Sequence, residues 1–224
     1  MSMRQPWPGV YEAPDRRLFT RNLAPGFRVG EEELLSLDGV EYRSWNPQRS
    51  KLAAMLLKGV RTMPIAPGSH VLYLGAAAGA TASYVGDIVG AQGLVYAVEH
   101  TPRPFRDLVQ VAEHRPNLLP ILADAARPER YQRLVGPVEV AYQDISQRAQ
   151  GQLFLRNVAT YRPRVGILMV KARSVDVASD PRVVYDNIVR EVTTAGHKLL
   201  ERVDLAPFER DHAALVFELA PKGP

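Results

Sequence analysis

The sequence predicts an α/β fold, a largely parallel sheet with helices on both faces, preceded by a small antiparallel β unit. Two observations carry that prediction. From residue 70 onward, apolar β-type runs alternate with helix-length stretches, the pattern of parallel strands joined by helical crossovers. The first 45 residues lack this rhythm, because prolines at 6, 8, 14 and 25 interrupt short β-prone stretches.

Taken in order, Val10–Glu12, Leu18–Arg21 and Val40–Trp45 read as short strands separated by turn signals. Such a unit is marginal alone and is expected to pack on something larger. Asn46-Pro47 predicts a helix start, with Asn as cap and Pro at the first helical position. The run SKLAAMLLKG then places Leu52, Met55 and Leu56 on one face before Gly59, and Pro64, Pro67 and Gly68 close the segment. Strands are predicted at Val71–Leu74, Leu94–Val98, Leu118–Leu122, Val138–Tyr142 and Val165–Val170. Helices are predicted between them at 81–89, 104–114, 128–134 and 148–161. A further helix starts after Asp180-Pro181 and runs to about Ala195. Lys198–Asp204 and Ala213–Leu219 follow with only the polar loop APFERDH between them, which predicts an antiparallel pair at the end of the sheet.

Composition bounds the function. The 224 residues, 46% hydrophobic and 23% charged, suit one domain of moderate size with a small appendage and argue against wholesale disorder. Zero cysteine excludes a disulfide scaffold, a thiolate metal site, an iron–sulfur cluster and a cysteine nucleophile. No His/Asp/Glu cluster has metal-ligand spacing, so no metal is expected. No run approaches the ~20 apolar residues of a membrane span. The segment MSMRQPWPGVYEAPDRR is too polar and proline-rich for a signal peptide, so a cytoplasmic protein without membrane attachment is expected. The 28 Lys+Arg against 24 Asp+Glu leave a net charge of +4, a mild excess that suits an anionic partner without specifying one.

The segment VLYLGAAAGATASYV, residues 71–85, is the most informative. A hydrophobic strand runs into Gly75, three small residues and Gly79, then a helix; glycines allow a tight turn and close ligand approach. The next strand ends in Glu99, 20 residues past Gly79, the spacing at which a carboxylate takes ribose hydroxyls. A third strand ends in Asp124-Ala125, placed to touch an adenine. The G-A-A-A-G turn has only two glycines and nothing basic beside it. It therefore suits S-adenosylmethionine, which has no phosphate, better than a nicotinamide dinucleotide, and a methyltransferase is favoured over an oxidoreductase.

The fourth strand, VEVAYQDIS, is read as ending in Asp144, and the fifth, GILMVKARS, carries Lys171 at its end. Both fall at the carboxyl edge, where open α/β sheets bind ligands. Lysine ending an apolar strand is unusual, since a buried ammonium must be paired or deprotonated. Lys51 and His212 are weaker signals, each also readable as a solvated surface residue. Basic groups at Arg16-Arg17, Arg127–Arg133 and Arg162–Arg164 are scattered, and 8% aromatics with no stacking motif argue against an autonomous base reader.

An ordered series of segments along almost the whole chain resembles the fibrillarin family, particularly its archaeal members: DGVEYRSWNPQRSKLAAMLLKG, VLYLGAAAGAT, YVGDIVG, GLVYAVEH, LPILADAARP, VEVAYQDIS, VKARSVDV and PFERDHAALVFE. The resemblance implies a Rossmann-like, seven-stranded S-adenosylmethionine-dependent methyltransferase fold over residues 51–224, with a small antiparallel β domain over residues 1–50. It implies 2′-O-methylation of ribose in pre-rRNA and tRNA. It places a catalytic tetrad on Lys51, Asp144, Lys171 and His212. Asp144 would orient the hydroxyl and take its proton, and Lys171 would stabilise the developing oxyanion. Lys51 would hold the pair in register or contact a phosphate, and His212 would tune or relay. Cofactor contacts are implied at Gly75, Ala76, Gly79, Ala80, Thr81, Glu99, His100, Asp124, Ala125, Asp144, Ile145, Ser146 and Gln147. The chain departs from the family pattern at Ala80, where a threonine is usual, at His100, usually aromatic, and at Ser146, usually alanine. The implied partners are a box C/D guide RNA with its target, a Nop-family scaffold protein and a small kink-turn-binding subunit resembling a ribosomal protein. The competing readings are a non-catalytic component of the same particle and a nicotinamide-dependent oxidoreductase.

Overall fold

The computed structural model describes residues 3–220. Two sheets organise it. The first is antiparallel, in the order β1-β2-β3-β5-β4, from β1 (Arg4–Trp7), β2 (Val10–Glu12), β3 (Leu18–Arg21), β4 (Leu34–Leu37) and β5 (Val40–Trp45). The sequence reading captures β2, β3 and β5 and misses the two outer strands. A signal for β4 exists in Asp38-Gly39: both residues have positive φ (50° and 78°), as a two-residue type I′ hairpin requires.

Helix α1 (Lys51–Leu57) begins later than Asn46-Pro47 predicts. The Asn46 side chain instead accepts a hydrogen bond from Gln48 N (2.9 Å) and closes a local turn. Ser50 becomes the cap, its Oγ accepting from Ala53 N. Asn is as good at initiating turns as at capping helices, and here the turn wins.

The second sheet has seven strands in the order β11-β12-β10-β9-β6-β7-β8. They are β6 (His70–Leu74), β7 (Leu94–Glu99), β8 (Leu118–Leu122), β9 (Val140–Gln143), β10 (Val165–Lys171), β11 (Lys198–Asp204) and β12 (His212–Glu218). The five from β8 to β10 are mutually parallel, while β12 runs antiparallel to both β10 and β11, as the absence of a helix before it predicts. This is the expected seven-stranded α/β fold with an antiparallel sheet ahead of it. Helices α2 (Ala80–Val89), α3 (Pro102–Glu113), α4 (Gln150–Tyr161) and α6 (Pro181–Thr194) supply the layers, with a single turn, α5 (Ala172–Val175), after β10. The predicted helix over 128–134 is instead two 3₁₀ turns, Pro128–Arg130 and Gln132–Leu134. Between them Tyr131 is buried and donates to Asn157 Oδ1 of α4 at 2.6 Å, which breaks the segment at that point.

The pleat divides the core. Odd-numbered Val71, Tyr73, Ile167 and Met169 pack with α1, α2 and α3, and even-numbered Leu168 and Val170 pack with α4 and α6. The first sheet joins the α1–α3 side: Val10, Leu18 and Trp45 share that continuous cluster. A buried ionic network reinforces the junction. Asp87 of α2 accepts from Arg43 Nη1 (2.9 Å) and Thr20 Oγ1 (2.9 Å), and Arg43 also donates to Glu32 Oε1 (2.9 Å). The Arg43, Asp87 and Arg115 side chains are fully enclosed. Among the described residues no helix is long and apolar enough to cross a membrane.

Candidate active site

Five parallel strands end along one edge of the sheet. Because β12 runs the other way, its first residue, His212, lies at the same edge as Lys171, the last residue of β10, and the two are direct cross-strand partners. Parity orients them. Lys171 continues the series Ile167, Met169, and His212 continues Ala214, Val216, so both point to the side that holds α1. There Lys51, at the start of α1, donates through Nζ to both oxygens of Asp144, at 2.8 and 3.0 Å. Asp144 follows β9, beside β10 in the sheet. Chain-distant residues 51, 144, 171 and 212 therefore converge on one patch.

Their electrostatic states differ. Lys51 and Asp144 neutralise each other at a half-buried position. Lys171 has no acidic partner within 4.0 Å among the described residues, so its ammonium is the uncompensated charge of the patch. His212 is buried and its pKa lies below the ordinary value, first because burial disfavours the imidazolium; Lys51 adds to that, whereas the Arg210 carbonyl, Glu209 and Asp144 oppose it. Its Nδ1 faces the Arg210 carbonyl oxygen at 2.6 Å. A carbonyl only accepts, so Nδ1 carries the proton and neutral His212 keeps Nε2 as an acceptor.

A cleft of about 410 Å³ opens beside this patch, at the point where β6 and β9 lead to opposite sides of the sheet. Gly75 makes the approach possible. Its φ is +84°, and a Cβ there would stand 2.8 Å from Ile145 Cγ1 and 3.0 Å from the Asp144 carbonyl carbon. Glu99, buried, fixes the opposite wall: Oε1 accepts from His100 N (2.9 Å) and Thr101 N (2.7 Å), and Oε2 from Ala77 N (3.0 Å). Oε2 thus retains acceptor capacity toward the cleft.

Of the residues expected to contact a cofactor, Gly75, Glu99, His100, Asp124, Ala125, Asp144, Ile145, Ser146 and Gln147 line this cleft. Ala76, Gly79, Ala80 and Thr81 do not. Ala76 is buried, and Gly79 (φ +87°) seats α2 against α3, where a Cβ would lie 2.9 Å from Leu108. Ala80 and Thr81 border a smaller cleft of about 210 Å³ between the first sheet and α2. The Thr81 hydroxyl donates to Ser50 Oγ at 3.1 Å and so braces the cap of the helix that carries Lys51. The sequence reading missed Ala77, Val98, Thr101, Pro104 and Ala123, which also line the larger cleft. Thr101-Pro102, a helix start directly after Glu99, is the signal that could have found that wall.

The lining includes Glu99 and Asp124, besides Asp144, whose charge Lys51 neutralises, and no Lys or Arg. Such a cleft repels pyrophosphate and favours a nucleoside bearing positive charge; S-adenosylmethionine, a sulfonium with no phosphate, has that chemistry.

The model of the fibrillarin family matches residues 1–220. A relative from Pyrococcus furiosus described as a fibrillarin-like rRNA/tRNA 2′-O-methyltransferase is 44% identical over 216 residues, covering 94% of this chain and 95% of its own length. The crystal structure of Aeropyrum pernix fibrillarin in complex with natively bound S-adenosyl-L-methionine superposes with a TM-score of 0.88 at 41% identity, covering 97% of this chain and 98% of that one. The fibrillarin chain of a fibrillarin/Nop5p complex superposes at 0.84 with 37% identity, over 95% and 98% of the respective chains.

Proposed function

The chain belongs to the fibrillarin family, and from that premise we propose that it is an S-adenosylmethionine-dependent RNA ribose 2′-O-methyltransferase acting on rRNA and tRNA. One observation carries the reading: the anionic cleft ends at Asp144, and there Lys51, Lys171 and His212 meet. Glu99 would take ribose hydroxyls, Asp124 and Ala125 the adenine, and His100, on the rim, would cover the base. Ile145, Ser146 and Gln147 would close the wall below.

S-adenosylmethionine, when bound, supplies an electrophilic methyl group on its sulfonium. The remaining work is done by the chain. Asp144 orients the 2′-hydroxyl and accepts its proton while Lys51 clamps both carboxylate oxygens in one geometry. Lys171, with no acid of its own, offers its charge to the oxygen as negative charge develops. His212, neutral and presenting Nε2, adds an acceptor without adding a second positive charge. Holding the hydroxyl in line is worth up to ~7–11 kcal/mol in ideal cases.

The sequence is 8% aromatic and carries no stacking motif, so target choice is assigned to partners: a box C/D guide RNA, a Nop-family scaffold and a kink-turn-binding subunit, working in the cytoplasm. The known fibrillarin/Nop5p complex supports the second of these. The test is methyl transfer to a guide-paired target in the assembled particle. Asp144→Ala and Lys171→Ala should each abolish transfer while S-adenosylmethionine still stabilises the protein against heat and NAD does not. Near-normal turnover in either variant removes that residue from the mechanism. An inactive wild-type particle that still binds the cofactor returns the non-catalytic reading.

A further inference from the structure

Gln150 lies at the start of α4 and is wholly enclosed. It has no place in the chemistry above, yet its amide is spent on that site's framework. The β9–β10 ladder stops at the pair Gln143–Leu168, three residues short of Lys171. Beyond that point the Gln150 side chain replaces the missing strand. Its Oε1 accepts from Lys171 N at 3.2 Å, and its Nε2 donates to Lys171 O at 3.2 Å. The same Nε2 donates to Gln147 O at 2.9 Å, and Gln143 Nε2 donates back to Gln150 O at 2.9 Å. One amide therefore ties the end of β10 to the loop that runs from Asp144 to Gln147. Glutamine is required for this: it combines two N–H donors with an acceptor at the necessary reach, whereas glutamate lacks the donors and asparagine the length.

We propose that Gln150 is the positioning residue that fixes Lys171 relative to Asp144 and the cleft-lining loop. The inference rests on the methyltransferase reading for its consequence in turnover, and on the hydrogen bonds alone for its structural part. Removing the amide leaves Lys171 chemically intact at a strand end held only on its β12 side, so the ammonium loses its fixed distance to the reacting oxygen.

The test uses Gln150→Met, which keeps length and volume and removes every side-chain hydrogen bond, with Gln150→Asn as the alternative should the first not fold. Two readouts are taken on the full chain. Amide hydrogen exchange over residues 165–173 should accelerate at Lys171 while β6 and β7 keep their protection. Single-turnover methyl transfer in the assembled particle should fall by about 10-fold to 100-fold, the scale of a sub-ångström to 1 Å misplacement. In a double-mutant cycle with Lys171→Arg, which keeps a cation but not the lysine's reach, the loss caused by Gln150→Met should shrink, because a displaced cation has little left to position. Losses that multiply would mean a general structural role and overturn the proposal, as would unchanged exchange at Lys171. An inactive wild-type particle would sink the methyltransferase reading instead; exchange at Lys171 still decides the role of Gln150.

Discussion

Replacing Gly75 with alanine separates backbone strain from damage to the site. Gly75 has φ +84°, and an added Cβ would stand 2.8 Å from Ile145 Cγ1, 3.0 Å from the Asp144 carbonyl carbon and closer still to its oxygen. Ordinary contact begins at 3.4 Å, so the Asp144–Ile145 segment must retreat by at least about 0.6 Å, on the scale at which misplaced reacting groups lose up to ~10²-fold in rate. Gly59 provides the control. Its φ is +83°, and an added Cβ there meets nothing within 4 Å. Both alanine variants should lose ~1–2 kcal/mol of stability from the left-handed backbone. Only Gly75→Ala should also slow single-turnover transfer in the assembled particle and weaken cofactor binding measured by calorimetry. A Gly75→Ala enzyme no slower than Gly59→Ala would refute the claim that this turn holds Asp144 in working position.

Two other perturbations probe the frame and the pH response. Asp87→Ala leaves the fully buried Arg115 without its carboxylate and Arg43 with Glu32 alone, and should cost ~3–5 kcal/mol in denaturant unfolding; a loss of surface-residue size would show that the network is not holding the first sheet to α2. His212 is more acidic folded than unfolded, so below about pH 6.5 the unfolded chain binds more protons and stability is lost as the pH drops, while above that pH the contribution is complete. His212→Gln should flatten the urea-midpoint profile between pH 5 and 7 relative to wild type, leaving the part due to His197, whose pKa burial also lowers. Parallel wild-type and variant profiles would remove His212 from that response.

The sequence by itself determined the alternation of the seven-stranded sheet's strands with its main helices, the glycine turn, and which strands lead to Glu99, Asp144 and Lys171. Those follow from local periodicity and from rules that hold for any sheet of this class. It also determined the family, since that depends on an ordered series of segments. Other features waited for the tertiary structure because they depend on which distant groups meet. The bidentate Lys51–Asp144 pair spans 93 residues, and neither partner's neighbours in sequence announce it. Helix α1 starts at Ser50 because Asn46 found a turn and Thr81 found the serine, a choice local propensity leaves open. The outer strands β1, interrupted by Pro6, and β4, without a β-branched residue, do not read as strands alone and exist because β2 and β5 pair with them. In the sequence Thr81 reads as a cofactor contact and Gln150 carries no signal. Only folding, which brings the cap of α1 against Thr81 and the end of β10 against Gln150, turns them into braces for Lys51 and Lys171.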